Sequence, residues 1–159
     1  MKSLILIYLL SFASLPQTLA QITVYNGVSH YASNVICTLS GGKVFRKTST
    51  AASEIICTIK GDKVLKGTST YSSDVLYTVS DGKVYKGNSG YTSDILLTIR
   101  DSKVYKGTSL YTSDVLATIK DGKVYSGNSI YNSDIEFTID GFVTIEEFVA
   151  IWHAVKYCY

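Results

Sequence analysis

Two histidines and three cysteines are the residues of this 159-residue chain best suited to nucleophilic or metal chemistry. His30 and His153 stand at opposite ends of the chain, and the sequence shows no zinc-type spacing, no phosphate-cradling glycine loop and no Cys/His dyad. Cys37 and Cys57 occupy the same position of an internal repeat, where later copies carry Tyr77, Leu97, Ala117 and Phe137, so they read as small buried apolar side chains. In an array of hairpins a return strand separates them by two strand spacings, about 10 Å, beyond disulfide reach. On adjacent rungs of a parallel solenoid they could bond. Cys158 is left over as an odd thiol, a candidate for dimerisation.

Oxygen-bearing residues offer two further chemistries. The segment Glu136 to Glu147, EFTIDGFVTIEE, is similar to the latter part of an EF-hand loop, with Glu136, Thr138 and Asp140 as early ligands, Gly141 at the sharp turn and Glu147 as the bidentate one. A capping box between Thr144 and Glu147 accounts for those two residues without calcium, which leaves Glu136, Asp140 and Glu147 as the secondary metal reading. Serine recurs at fixed intervals, but a nucleophile requires one uniquely placed base, and six equivalent copies point to a role in the fold. The column Asn34, Glu54, Asp74, Asp94, Asp114 and Asp134, with lysines at the turns, reads as solvated turn and edge charge.

The element that positions all of these is a 20-residue unit. Six copies begin at Val24, Val44, Val64, Val84, Val104 and Val124 without insertion or deletion, as in VYKGNSGYTSDILLTIRDSK (84–103) and VYKGTSLYTSDVLATIKDGK (104–123). Val at position one, Ser at six and ten, and Thr at fifteen occur in every copy. The run Asp114 to Ile119 is rich in β-branched and aliphatic residues, and Asp121-Gly122 reads as a two-residue primed hairpin turn. Counting from that turn pairs Ile119 with Val124 and Thr118 with Tyr125. One face then carries Val115, Ile119 and Val124, and the other Leu116, Thr118 and Tyr125. Apolar residues on both faces mean that each hairpin buries itself against its neighbours, and a single hairpin is marginal in water. Equal spacing fits either radial closure or a linear stack.

After Asp140-Gly141 the period changes. Ile145, Phe148, Val149, Trp152 and Val155 recur at helical spacing, which predicts a helix lying as a lid on the apolar edge of the last repeat. The expected fold is therefore all-β, six tandem antiparallel hairpins over 21–143 with a capping helix over 144–159. At the other end, Lys2, the apolar run Leu4 to Leu15 and Thr18-Leu19-Ala20 read as a signal peptide over 1–20, with the exported chain starting at Gln21 in a periplasmic, secreted or cell-surface setting. Downstream of residue 20 there is neither Pro nor Met, in keeping with an uninterrupted strand ladder. The net charge of +2 lacks the excess that nucleic-acid binding needs, and no apolar run reaches the ~20 residues of a membrane span.

The hairpin unit with its recurrent aromatic is similar in layout to choline-binding repeats, though those depend on tryptophans and only Trp152 is present. It resembles more closely the short β-repeat proteins of secreted bacterial origin described as β-flowers. The resemblance spans 24–143 and implies a style of fold, with no activity attached to any residue. Three functions follow from the residues. A non-catalytic binding or structural module, without a cofactor, would use Tyr31, Tyr71, Tyr91, Tyr111 and Tyr131 at repeat position eight as platforms for a polysaccharide or envelope protein. The bland account of these tyrosines is that they roof the neighbouring unit. A hydrolase would require a pocket gathering His30, Glu54, Glu136 or His153. An ice or crystal-surface binder would require Thr38 to Thr138 as a flat exposed ladder, which a twisted hairpin disfavours.

Overall fold

A computed structural model describes residues 21–159; the expected export segment, 1–20, lies outside them. The chain runs as twelve strands: β1 (Ile22–Asn26), β2 (Val35–Ser40), β3 (Lys43–Arg46), β4 (Ile55–Lys60), β5 (Lys63–Lys66), β6 (Val75–Ser80), β7 (Lys83–Lys86), β8 (Ile95–Arg100), β9 (Lys103–Lys106), β10 (Val115–Lys120), β11 (Lys123–Ser126) and β12 (Ile135–Asp140). Each pairs antiparallel with its neighbours in sequence, and β1 closes on β12. The six units thus close radially and the linear stack does not form. Cys37 and Cys57 sit on β2 and β4 with β3 between them, and both thiols are free.

Turn chemistry sets the register. Asp121 and Gly122 both have positive φ, 51° and 72°, the primed geometry whose twist matches the strands it joins. Ile119 pairs with Val124 and Thr118 with Tyr125, as counted from the sequence. The two faces depart from the simple alternation. Across from β9, Val115 opposes Tyr105 and Ala117 opposes Val104, so Leu116 is an extra residue. The same shift occurs in all six long connections, always at repeat position thirteen. A bulge of one residue reverses the facing of everything before it. Val115 therefore lies on the outer face with Thr118 and Tyr125, and Ala117 joins Ile119 and Val124 on the inner face.

The helix is a plug and not a lid, because a closed sheet leaves no edge to cover. Helix α1 (Ile145–His153) starts on the predicted capping box and continues through a π-helical turn over Ala154–Cys158. Phe148, Val149, Ala150, Ile151 and Trp152 are five consecutive buried residues, so the helix is enclosed on every side. Its side chains reach strands on several sides of the wall. Cys57 on β4 reaches the Ala150 carbonyl, Tyr77 on β6 reaches His153, and Phe137 on β12 packs edge-on against Trp152 at 6.4 Å. Twelve strands at ~4.8 Å spacing and a tilt near 40° enclose a backbone diameter of roughly 24 Å. A helix about 10–12 Å across fits that lumen and occupies most of it once the wall's own side chains are counted. The core is accordingly the cylinder between the two, built from all six fully buried Val at position one and the helix side chains.

Candidate functional site

Strand order places every long connection at one rim of the barrel and every two-residue turn at the other. At the long-connection rim each loop is braced from within. Ser109 Oγ donates to Asp114 at 2.5 Å and accepts the Tyr111 amide at 3.2 Å, while the Asp114 amide donates to the Tyr111 carbonyl at 3.0 Å. The same three bonds recur around Tyr71, Tyr91 and Tyr131. The Asp column is thus a set of loop clasps and not solvated turn charge, and the Ser at position six is its partner. The first two copies depart from it. Asn34 leaves Ser29 Oγ buried without a partner among the described residues, and Glu54 turns instead to Arg46 at 3.5 Å.

These clasps fix both backbone polar groups of Tyr71, Tyr91, Tyr111 and Tyr131 and leave the rings in solvent. Tyr31, Tyr71, Tyr91, Tyr111 and Tyr131 are 72–77% exposed, which rules out roofing of the neighbouring unit. In the first copy the outer-face Tyr25 is covered by the neighbouring position-seven residue, His30, whose ring stacks on it at 4.8 Å. The threonine ladder is not a flat exposed surface either. Thr58, Thr78, Thr98, Thr118 and Thr138 each donate to a loop glycine carbonyl at 2.6–2.8 Å, and Thr38 is buried, so the ladder presents no row of free hydroxyls to an ice surface.

A second constellation lies inside the same rim, where the C-terminal turn of the helix emerges. Arg46, Lys66, Lys86 and Lys106 pair directly with the inner-face residues Cys37, Cys57, Tyr77 and Leu97, so four cations line the mouth of the lumen. Arg46 binds the Cys158 carbonyl at 3.0 Å. Glu136, facing the same mouth, is paired with Lys156, whose Nζ also lies 4.9 Å from the Trp152 ring centre. Beside them the helix leaves a hollow of about 320 Å³ against β6–β10, lined by Leu96, Leu97, Leu116, Trp152 and Tyr157, with Lys106 at its edge.

The π-helical turn brings a cysteine to a histidine, although the sequence shows no Cys/His dyad. Five positions separate His153 from Cys158, one turn of a π-helix, and Nε2 lies 3.6 Å from Sγ. On the other side Nδ1 meets the Tyr77 hydroxyl at 2.9 Å. Burial holds His153 below the usual imidazole range and pushes Tyr77 up to about 12, so both are neutral near pH 7. Burial likewise pushes Cys37 and Cys57 up to about 12, which makes them inert packing groups.

The remaining sequence candidates are separated. Glu147 accepts the Thr144 amide in the capping box and Glu136 pairs with Lys156, so the proposed calcium ligands Glu136, Asp140 and Glu147 do not converge. Among the described residues no three His, Cys, Asp or Glu are grouped to hold a metal. The four residues a hydrolase pocket would gather, His30, Glu54, Glu136 and His153, have separate partners in Tyr25, Arg46, Lys156 and Tyr77. No described helix is long and apolar enough to cross a membrane.

Six equivalent petals around a closed ring decide the relationship. The family model for the 6-fold beta flower protein matches residues 24–152, which include all six repeats and most of the helix. The chain belongs to the 6-fold beta flower family. Among curated proteins and among solved structures nothing matches it. Within this beta flower, the lumen mouth is what sequence reasoning missed. The signal was available in the position-three cations, which share the face of the position-one valines, but it becomes visible only when closure of the barrel makes that face the lumen side.

Proposed function

We propose that this beta flower is an exported, non-catalytic repeat module that binds a polysaccharide through its tyrosine-bearing loops. One observation carries the reading: four tyrosines, Tyr71, Tyr91, Tyr111 and Tyr131, are held by identical Ser–Asp clasps while their rings stay about three-quarters exposed. An exposed aromatic on a rigid backbone gives contact area at low conformational cost, the property that recommends tyrosine in binding loops. Its apolar ring face suits the C–H face of a sugar, and its hydroxyl can bond to the sugar's own. Regular repetition around a ring suits a ligand that is itself a repeating chain, because several weak contacts then act together.

The test is a glycan panel probed with the wild type and with the triple variant Tyr91→Ser, Tyr111→Ser, Tyr131→Ser. Loss of binding with a melting temperature within a degree or two of the wild type is expected, since the rings contribute little to the core. Binding retained by the triple variant would overturn the reading. Export has its own check. Mass spectrometry of the secreted protein should show a chain beginning at Gln21, and an intact Met1 end would count against it.

A further inference from the structure

The hollow between helix and wall is a consequence of how the repeats vary around the ring. The helix leans toward β2, β4 and β5, where position fourteen holds the small side chains Cys37 and Cys57. On the opposite side the wall stands away from it. Leu96 and Leu116, inner-mouth residues at repeat position thirteen, are 40% and 37% exposed, whereas Ile36 in the same position of the first repeat is 3% exposed. Large aliphatic side chains of the wall lining about 320 Å³ of unfilled space beside the helix are characteristic of a small-molecule site, whose usual range begins near 300 Å³.

The charged groups at its entrance are of one sign. Lys86 and Lys106 share the inner face with Tyr77 and Leu97. The ion pairs of the described residues are Arg46–Glu54, Arg100–Asp101 and Lys156–Glu136, so neither lysine has a carboxylate within 4 Å. The one carboxylate at position thirteen, Glu136, is neutralised by Lys156. A ligand with an aliphatic body and a single anionic end meets both requirements.

We propose that the lumen mouth binds a medium-chain fatty acid, its alkyl chain between Leu96, Leu116 and Trp152 and its carboxylate at Lys86 and Lys106. This site is distinct from the tyrosine loops and stands or falls without them. Trp152 is the only tryptophan, so its emission reports on the hollow directly. Dodecanoate, added below its micellar concentration, should give a saturable change in Trp152 fluorescence and a one-to-one calorimetric isotherm. The double variant Lys86→Glu, Lys106→Glu should weaken dodecanoate by about tenfold or more and improve dodecyltrimethylammonium, as reversal of the local charge requires. Both lysines are exposed, so this variant keeps the fold. Absence of saturation in both measurements would overturn the proposal. So would equal affinity of the wild type for dodecanoate and dodecyltrimethylammonium, or an affinity for dodecanoate unchanged by the two substitutions.

Discussion

At the scale of the residue, the six threonines at position fifteen show how one side chain can have opposite values in equivalent places. Thr118 Oγ1 donates to the Gly127 carbonyl at 2.8 Å and joins a strand to the loop that follows its partner strand. Thr38 Oγ1 is buried without a partner among the described residues, in the one copy where Lys47 replaces the loop glycine. A buried hydroxyl that bonds contributes about 1 kcal/mol net, and one that does not costs a comparable amount. Thr118→Val is therefore expected to lower stability by about 1 kcal/mol and Thr38→Val to leave it unchanged or raise it, as read by urea denaturation of the two variants. A fall of equal size in both would show that the hydroxyl bond is not what distinguishes them.

At the scale of the element, the hairpin turns carry the register of the whole barrel, and each also accepts an amide from the next hairpin. The Gly122 carbonyl takes the Ile139 amide at 2.7 Å, and Ser102 takes that of Ile119 at 2.7 Å. A Cβ at Gly122 would lie 2.7 Å from the Ile139 carbonyl oxygen, on a backbone already at φ 72°. Gly122→Ala should destabilise by well over 1 kcal/mol through strain and displacement of that neighbour. The equivalent residue of the fourth turn is Ser102 at φ 59°, a non-glycine residue in the left-handed region. Ser102→Gly is expected to raise the melting temperature, by relief of about 1 kcal/mol. Thermal unfolding of the two variants checks both signs.

At the scale of the whole molecule, the barrel and its helix are each incomplete alone. A ring of this width cannot fill its lumen from the wall, and an α1 with buried residues on every side has no solvent face to stand on. Ile151, 0% exposed, lies outside the apolar stripe that the helical spacing had picked out, so it separates a plug from a lid. Ile151→Asp should cost roughly 3–5 kcal/mol, a large share of the stability of a small domain, with dye binding to the opened lumen. A lid would lose almost nothing. The repeat, its hairpin, the paired residues beside each turn, the capping box and the change to helical period were all legible in the sequence, because each is a local pattern with a local cause. Three things were not, and each depends on distant parts of the chain. Closure requires the first strand to meet the twelfth, which equal spacing permits without requiring. Facing depends on a bulge that adds one residue on one side of a pair, and this moved Val115 outward and turned Leu116 toward the lumen; the position-three lysines share the face of the position-one valines by alternation, and closure made that face the lumen side. The helix found its place only because closure had created a cavity of its own diameter, and its π-helical end then brought His153 to Cys158.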